Sequence, residues 1–217
     1  MTVTESEKTI ERKRKALSYV DGLQFAITEN ACPLIESEEF SQSIDLFKVI
    51  YNEGNKVVTT GMGKAGYIMQ KFSSTLCSFG VHSCFLHPGE ASHGDLGILN
   101  SNDLLFVAST SGKTREVLET IDLSRKLDIY GIIGLTSHKD SKIREKADIV
   151  LDMGGIEEAG ELKLAPTTST TIMSIVTDAL ALIVSEEIGL TKEQFGKLHH
   201  SGYLHDLAMG KVLPNIP

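Results

Sequence analysis

Three stretches of the chain group side chains that can bind or move charge. Gly61-Met62-Gly63-Lys64-Ala65-Gly66 has the form GxGxxG, a strand-to-helix turn in which bare backbone can approach a phosphate. The pattern alone admits three readings. A dinucleotide site would also want an acidic residue ending the next strand, about 20 residues on, where this chain has Leu86-His87-Pro88. A turn that needs glycine only for its shape is the second reading. The third is a small anion lying on the amides around Gly63, with Lys64 as the charged contact.

Ser109-Thr110-Ser111-Gly112-Lys113-Thr114 ends like a Walker A loop, but Val107 stands where that motif requires its first glycine, which excludes a P-loop NTPase. What remains is a run of hydroxyls and a glycine at the start of a helix, where free amides and the dipole favour phosphate. An ordinary N-cap would account for one hydroxyl, not for Ser109, Thr110, Ser111 and Thr114 together. Ala165-Pro166-Thr167-Thr168-Ser169-Thr170-Thr171 opens a long helical pattern with poor helix formers. One of them can cap; the others either line a sugar-phosphate pocket or pack. Hydroxyl-rich loops in separate places suggest a phosphorylated polyol.

Glu116, two residues past Thr114, and Glu157 and Glu158, just beyond the fifth strand run, are carboxylates near these loops, and a carboxylate beside a sugar carbonyl can carry a proton between adjacent carbons. For Glu116, complementing the dipole of its own helix is the alternative. Histidines gather at His82, His87 and His93 and again at His199, His200 and His205. Neither group has a tight HxH or HExxH spacing, so substrate-facing imidazoles stand beside a metal site as readings, and no metal or other cofactor is expected to be required.

Short apolar runs at Lys56 to Thr60, Ser83 to Leu86, Leu104 to Ser109, Tyr130 to Thr136 and Ile149 to Asp152 read as buried strands. Helix-length stretches at Lys64 to Phe79 and Thr114 to Asp128 alternate with them, and Thr168 to Ile188 follows. Alternation predicts a parallel sheet with helices on both faces and ligands at the strand C-terminal ends. Upstream, Ile10, Leu17, Val20, Leu23 and Ile27 trace a helical stripe from Glu5 to about Asn30, and a second helix runs from Ser37 to Asn52 and stops at Gly54. Residues 1–54 are thus expected to be helices packing on a core of residues 55–217, one structural domain in all.

The 217 residues, 41% hydrophobic and 23% charged, suffice for a full core. With 21 Lys and Arg against 29 Asp and Glu, a formal charge of −8 and no basic tract beyond Lys8 to Lys15, a nucleic-acid partner is not expected. The longest apolar run, Ile172 to Val184, is short and interrupted by Ser174 and Asp178, so no bilayer span is expected. The Glu- and Lys-rich N-terminus has no signal-peptide apolar region. Cys32, Cys77 and Cys84 have no CxxC spacing and read as reduced thiols of a cytoplasmic protein.

The turn Gly61 to Lys64, the stretch His87-Pro88-Gly89-Glu90-Ala91-Ser92-His93-Gly94-Asp95-Leu96-Gly97, the loop Ser109 to Thr114 and Leu164 to Thr171 stand in one order. Together they resemble the D-arabinose 5-phosphate isomerase family, from about residue 10 to 210. The resemblance implies a sugar isomerase (SIS) domain, a flavodoxin-like three-layer α/β/α sandwich with a five-stranded parallel sheet. It implies interconversion of D-ribulose 5-phosphate and D-arabinose 5-phosphate through an enediol(ate), feeding synthesis of the lipopolysaccharide or capsule sugar Kdo. The family's motif lysine falls on Lys64, its two glutamates on Glu116 and Glu158, its C-terminal histidine on His199 and its HGD histidine on His93. Substrate contacts are then expected from Gly63, His93, Ser109, Thr110, Ser111, Thr114, Thr168, Ser169 and His200, in a homotetramer with active sites shared between subunits.

Two departures from the family pattern carry expectations of their own. Lys113 replaces a usual glutamate and is expected to add positive charge near the phosphate. His199-His200-Ser201-Gly202 replaces HPGG. The sequence ends at Pro217, where many members continue into paired CBS domains, so any restraint by the activated sugar, CMP-Kdo, is expected to be competitive at the active-site cleft. The rival readings are an SIS isomerase of a heptose or hexulose phosphate, and a non-enzymatic phosphosugar sensor.

Overall fold

The computed structural model describes residues 5–211, so residues 1–4 and 212–217 of the expected spans 1–54 and 55–217 lie outside that range. Five strands form: β1 (Val57–Gly61), β2 (Ser83–Leu86), β3 (Leu104–Ala108), β4 (Gly131–Thr136) and β5 (Ile149–Asp152). Every residue of β1, β3 and β4 is buried. Strands buried on both faces need helices on both. All pairings are parallel, in the order β2-β1-β3-β4-β5.

The helices among the described residues are α1 (Glu5–Ala26), α2 (Cys32–Ile35), α3 (Glu38–Asn52), α4 (Lys64–Ser78), α5 (Pro88–Ala91), α6 (Arg115–Ser124), α7 (Ile143–Lys146), α8 (Thr168–Glu187), α9 (Lys192–Leu198) and α10 (Tyr203–Ala208). Alternate strand residues divide the core. Val57, Leu104, Phe106, Ile133 and Leu135 face α3, α4 and α8, where the rings of Phe47, Phe72 and Phe106 meet at centroid separations of 5.0–6.3 Å. Val58, Leu105, Val107 and Ile132 face Val117 and Ile121 of α6 and Ile143 of α7. The result is the three-layer α/β/α sandwich expected.

Helix α8 is, by length and composition, apolar enough to cross a membrane, but more than half of that stretch is buried inside the protein. It packs on α3 and α4, and its Asp178 pairs with Lys71 of α4. It is the central helix of the core.

Two expectations, the ends of α1 and of α6, need correction. The helix predicted to reach Asn30 ends at Ala26; a π-helical turn, Ile27–Ala31, leads into α2, whose Pro33 lacks the N–H that an unbroken ladder would need. The apolar stripe of α1 stays open on its own chain, with Ile10, Leu17 and Val20 half or more exposed, whereas α3 buries Phe40, Phe47 and Ile50. Helix α6 stops at Ser124, followed by a 3-10 turn to Leu127 and a left-handed Asp128.

Candidate functional site

In this strand order the chain reverses direction of winding between β1 and β3, so the crevice at their C-terminal ends is where a ligand is expected. A cavity of about 570 Å³ opens there.

The turn after β1 presents Lys64 as the first, exposed residue of α4. Gly63 has φ +62°, and a Cβ on Gly66 would lie 2.5 Å from the Gly61 carbonyl. These glycines are thus needed for the turn and for close helix–strand packing, and Lys64 lines the cavity.

After β3, Gly112 (φ +62°) bends the loop so that its N–H donates to the carbonyl and the Oγ of Ser109, both at 3.1 Å. Ser109 Oγ also bonds Thr114 Oγ1 at 2.9 Å, and Lys113 N–H donates to Ser111 Oγ at 3.3 Å. Thr114 occupies the N-cap of α6 without a side-chain capping bond, leaving first-turn amides for an anion. Ser109, Thr110, Ser111 and Thr114 all line the cavity.

The loop is locked to its neighbour after β4. Ser137 and His138 N–H donate to the Thr110 carbonyl at 3.0 and 3.2 Å, and Lys142 N–H to the Gly112 carbonyl at 3.1 Å. A Cβ on Gly112 would fall 1.6 Å from Ser141 Oγ. Lys113 pairs with Asp140, outside the cavity, and this pairing holds the Asp140 carboxyl below its usual range. The positive charge expected of Lys113 at the phosphate is therefore directed elsewhere.

Glu158 closes the site from the loop between β5 and α8. Its Oε2 accepts from Thr167 N–H at 2.8 Å and Ser169 N–H at 3.3 Å, and its Oε1 from the Ser169 hydroxyl. The N-cap residue Thr167 makes no side-chain capping bond, so Glu158 serves as the cap of α8. Thr168 and Ser169 are buried; Thr168 Oγ1 accepts from Ala159 N–H at 3.2 Å. Both hydroxyls thus hold the loop, and Thr170 is the hydroxyl of that stretch that lines the cavity, beside Pro166. Glu157 also lines it, paired with Lys163 at 2.5 Å.

Other expected residues lie elsewhere in a single chain. Glu116, half-buried in the first turn of α6, is not among the lining residues. His93 is exposed beyond α5. His199 stacks on Phe195 at 4.0 Å and bonds its carbonyl through Nδ1 at 2.9 Å. The adjacent Leu198 borders a second cavity with Lys56, His82 and Asp103, at the N-terminal ends of the strands, and His200 is exposed. Among the described residues no three His, Cys, Asp or Glu side chains converge to hold a metal ion. His138 and Lys163 line the cavity without having been singled out in the sequence.

Residues 50–183 match the SIS domain family. The chain belongs to that family. An SIS relative, arabinose 5-phosphate isomerase KdsD of Pseudomonas aeruginosa, is 40% identical over 157 residues, 72% of this chain and 48% of that one. The chain spans about half the length of the curated relatives it matches. Among solved SIS structures, a Bacteroides fragilis protein named for a proposed role as phosphosugar isomerase in capsule formation superposes with TM-score 0.81 at 37% identity, covering 90% of this chain and 99% of that chain. An Escherichia coli CFT073 protein, solved in complex with arabinose 5-phosphate, gives TM-score 0.76 at 32% identity, covering 91% and 100%.

Proposed function

We propose that this SIS protein is an aldose–ketose isomerase interconverting D-ribulose 5-phosphate and D-arabinose 5-phosphate. The observation that carries the reading is the convergence of Lys64, the Ser109–Thr114 loop and Glu158 on one cavity at the switch point of the sheet. The names of the Pseudomonas and Escherichia relatives support the choice of sugar.

In this reading the phosphate rests on Ser109, Thr110, Ser111 and Thr114. Glu158 takes a proton from C1 of the ketose and returns it to C2 of the enediolate; O1 gives up a proton and O2 gains one, so the step balances without a redox partner. Glu158 Oε1 accepts a single bond from Ser169, which leaves it a lone pair for this work. Lys64 stabilises the enediolate oxygen, and Glu116 is the alternative base.

His93, His199 and His200 are proposed to reach the site of a neighbouring subunit in a homotetramer, a reading supported by their distance from the cavity of their own chain and by the uncovered stripe of α1. A cytoplasmic place in Kdo synthesis, with CMP-Kdo competing at the Ser109–Thr114 loop, extends the proposal; inhibition that excess substrate cannot relieve would remove the feedback part. The test of the whole is incubation of purified protein with ribulose 5-phosphate and with five-, six- and seven-carbon alternatives. Arabinose 5-phosphate as the preferred product supports it, turnover of a heptose or hexulose phosphate reassigns the substrate, and binding without turnover makes the protein a sensor.

A further inference from the structure

Of the seven histidines in the chain, six fall in the two sequence groups, and none of the six lines the cavity that holds Glu158. His138 does. It follows β4, and its main chain is fixed on two sides: its N–H donates to the Thr110 carbonyl at 3.2 Å and its carbonyl accepts from Arg144 Nε at 2.9 Å. Its ring is exposed and makes no hydrogen bond among the described residues.

The charges around the cavity give that ring a use. Glu157 and Lys163 neutralise one another, Lys113 is turned away onto Asp140, and Glu158 adds a carboxylate bonded to Thr167 and Ser169 rather than to a cation. Lys64 is then the one lining Lys or Arg without an ion-pair partner among the described residues. A sugar phosphate brings a charge of about −1.5 to −2, so a single cation facing one carboxylate leaves it undercompensated. The strand order β1-β3-β4 puts Lys64 and His138 on opposite flanks of the Ser109–Thr114 loop. An imidazole N–H donates to phosphate whether or not the ring is charged, and adds a positive charge when it is.

We propose that His138 is a phosphate-binding residue, donating to a phosphate oxygen from the β4 flank while Lys64, on the β1 flank, is engaged at the enediolate oxygen. The inference rests on the phosphosugar reading of the site and names a contact within it. The test pairs kinetics with binding. His138→Ala should raise KM for ribulose 5-phosphate about tenfold or more, the value of a charge-assisted hydrogen bond, with kcat within about twofold. His138→Lys should recover most of the loss, and inorganic phosphate should shift the His138 ring resonances of the unmodified protein. An unchanged KM, or a fall in kcat at constant KM, overturns the proposal. If the protein turns over no sugar phosphate while its His138 resonances still titrate with inorganic phosphate, the isomerase reading fails and the phosphate contact stands; turnover with silent His138 resonances has the opposite meaning.

Discussion

At the residue scale the hydroxyl loop sets the sharpest expectations. Ser111 and Thr114 face the cavity, and removing both in Ser111→Ala with Thr114→Ala should raise KM at least tenfold, since a hydrogen bond to an ionised group contributes roughly 1.5–3 kcal/mol; steady-state kinetics decide it. Gly112 tests the loop from inside. Its left-handed backbone and its approach to Ser141 mean that Gly112→Ala combines strain with a clash and should lower stability by about 2–4 kcal/mol in urea unfolding. An alanine tolerated within 0.5 kcal/mol, roughly the scatter of neutral surface changes, would contradict the packing described. Activity should also survive a chelator, because the proposed chemistry uses carboxylate, lysine and imidazole; restoration of lost turnover by zinc or manganese would refute that.

At the element scale, Glu158 joins the proposed chemistry to the stability of α8. Glu158→Ala should therefore lower the unfolding free energy by about 1–2 kcal/mol, as lost caps do, in addition to abolishing turnover. A variant as stable as the parent would deny it the capping role. Asp152, at the end of β5, gives a pH-dependent counterpart. Burial disfavours its ionisation, but hydrogen bonds from Arg144 and from Gly154 N–H, with the charges of Arg144 and Lys139, hold its carboxyl below the ordinary value of 3.8. A carboxyl depressed in the folded state stabilises above its unfolded value, and that contribution is lost as pH falls from about 4 toward the folded value. Asp152→Asn should flatten the acid limb of stability measured across that window. Strand positions were legible in sequence to within a residue, because β1, β3 and β4 are buried throughout and every strand is a short, mainly apolar run ended by glycine, hydroxyl or turn residues. The α8 threonines were not: which hydroxyl faces a cavity depends on where a helix begins, and Glu158 rather than a threonine caps this one. His138 was invisible because a lone imidazole after a strand carries no local pattern; only the pairing of two loops gives it a position.

At the scale of the whole molecule, the exposed Ile10, Leu17, Val20 and Phe25 of α1 and the remote His199 argue for assembly. Mass measurement in solution should give a tetramer, or failing that a dimer, and a fully active monomer would contradict delivery of His93 or His199 to a neighbour. That stripe was legible as amphipathic, yet the chain's own core leaves it open, and the pattern of one sequence does not say what would cover it. The interlock of Gly112 with Ser141, reinforced by the bonds from Ser137, His138 and Lys142, bears on how such a site can be re-engineered. The loops after β3 and β4 form one exchangeable cassette: grafting the Ser109–Thr114 segment alone into a relative whose following loop lacks a small residue opposite the glycine would set the two loops in collision, whereas moving both together would carry the interlocked hydroxyl loop across intact.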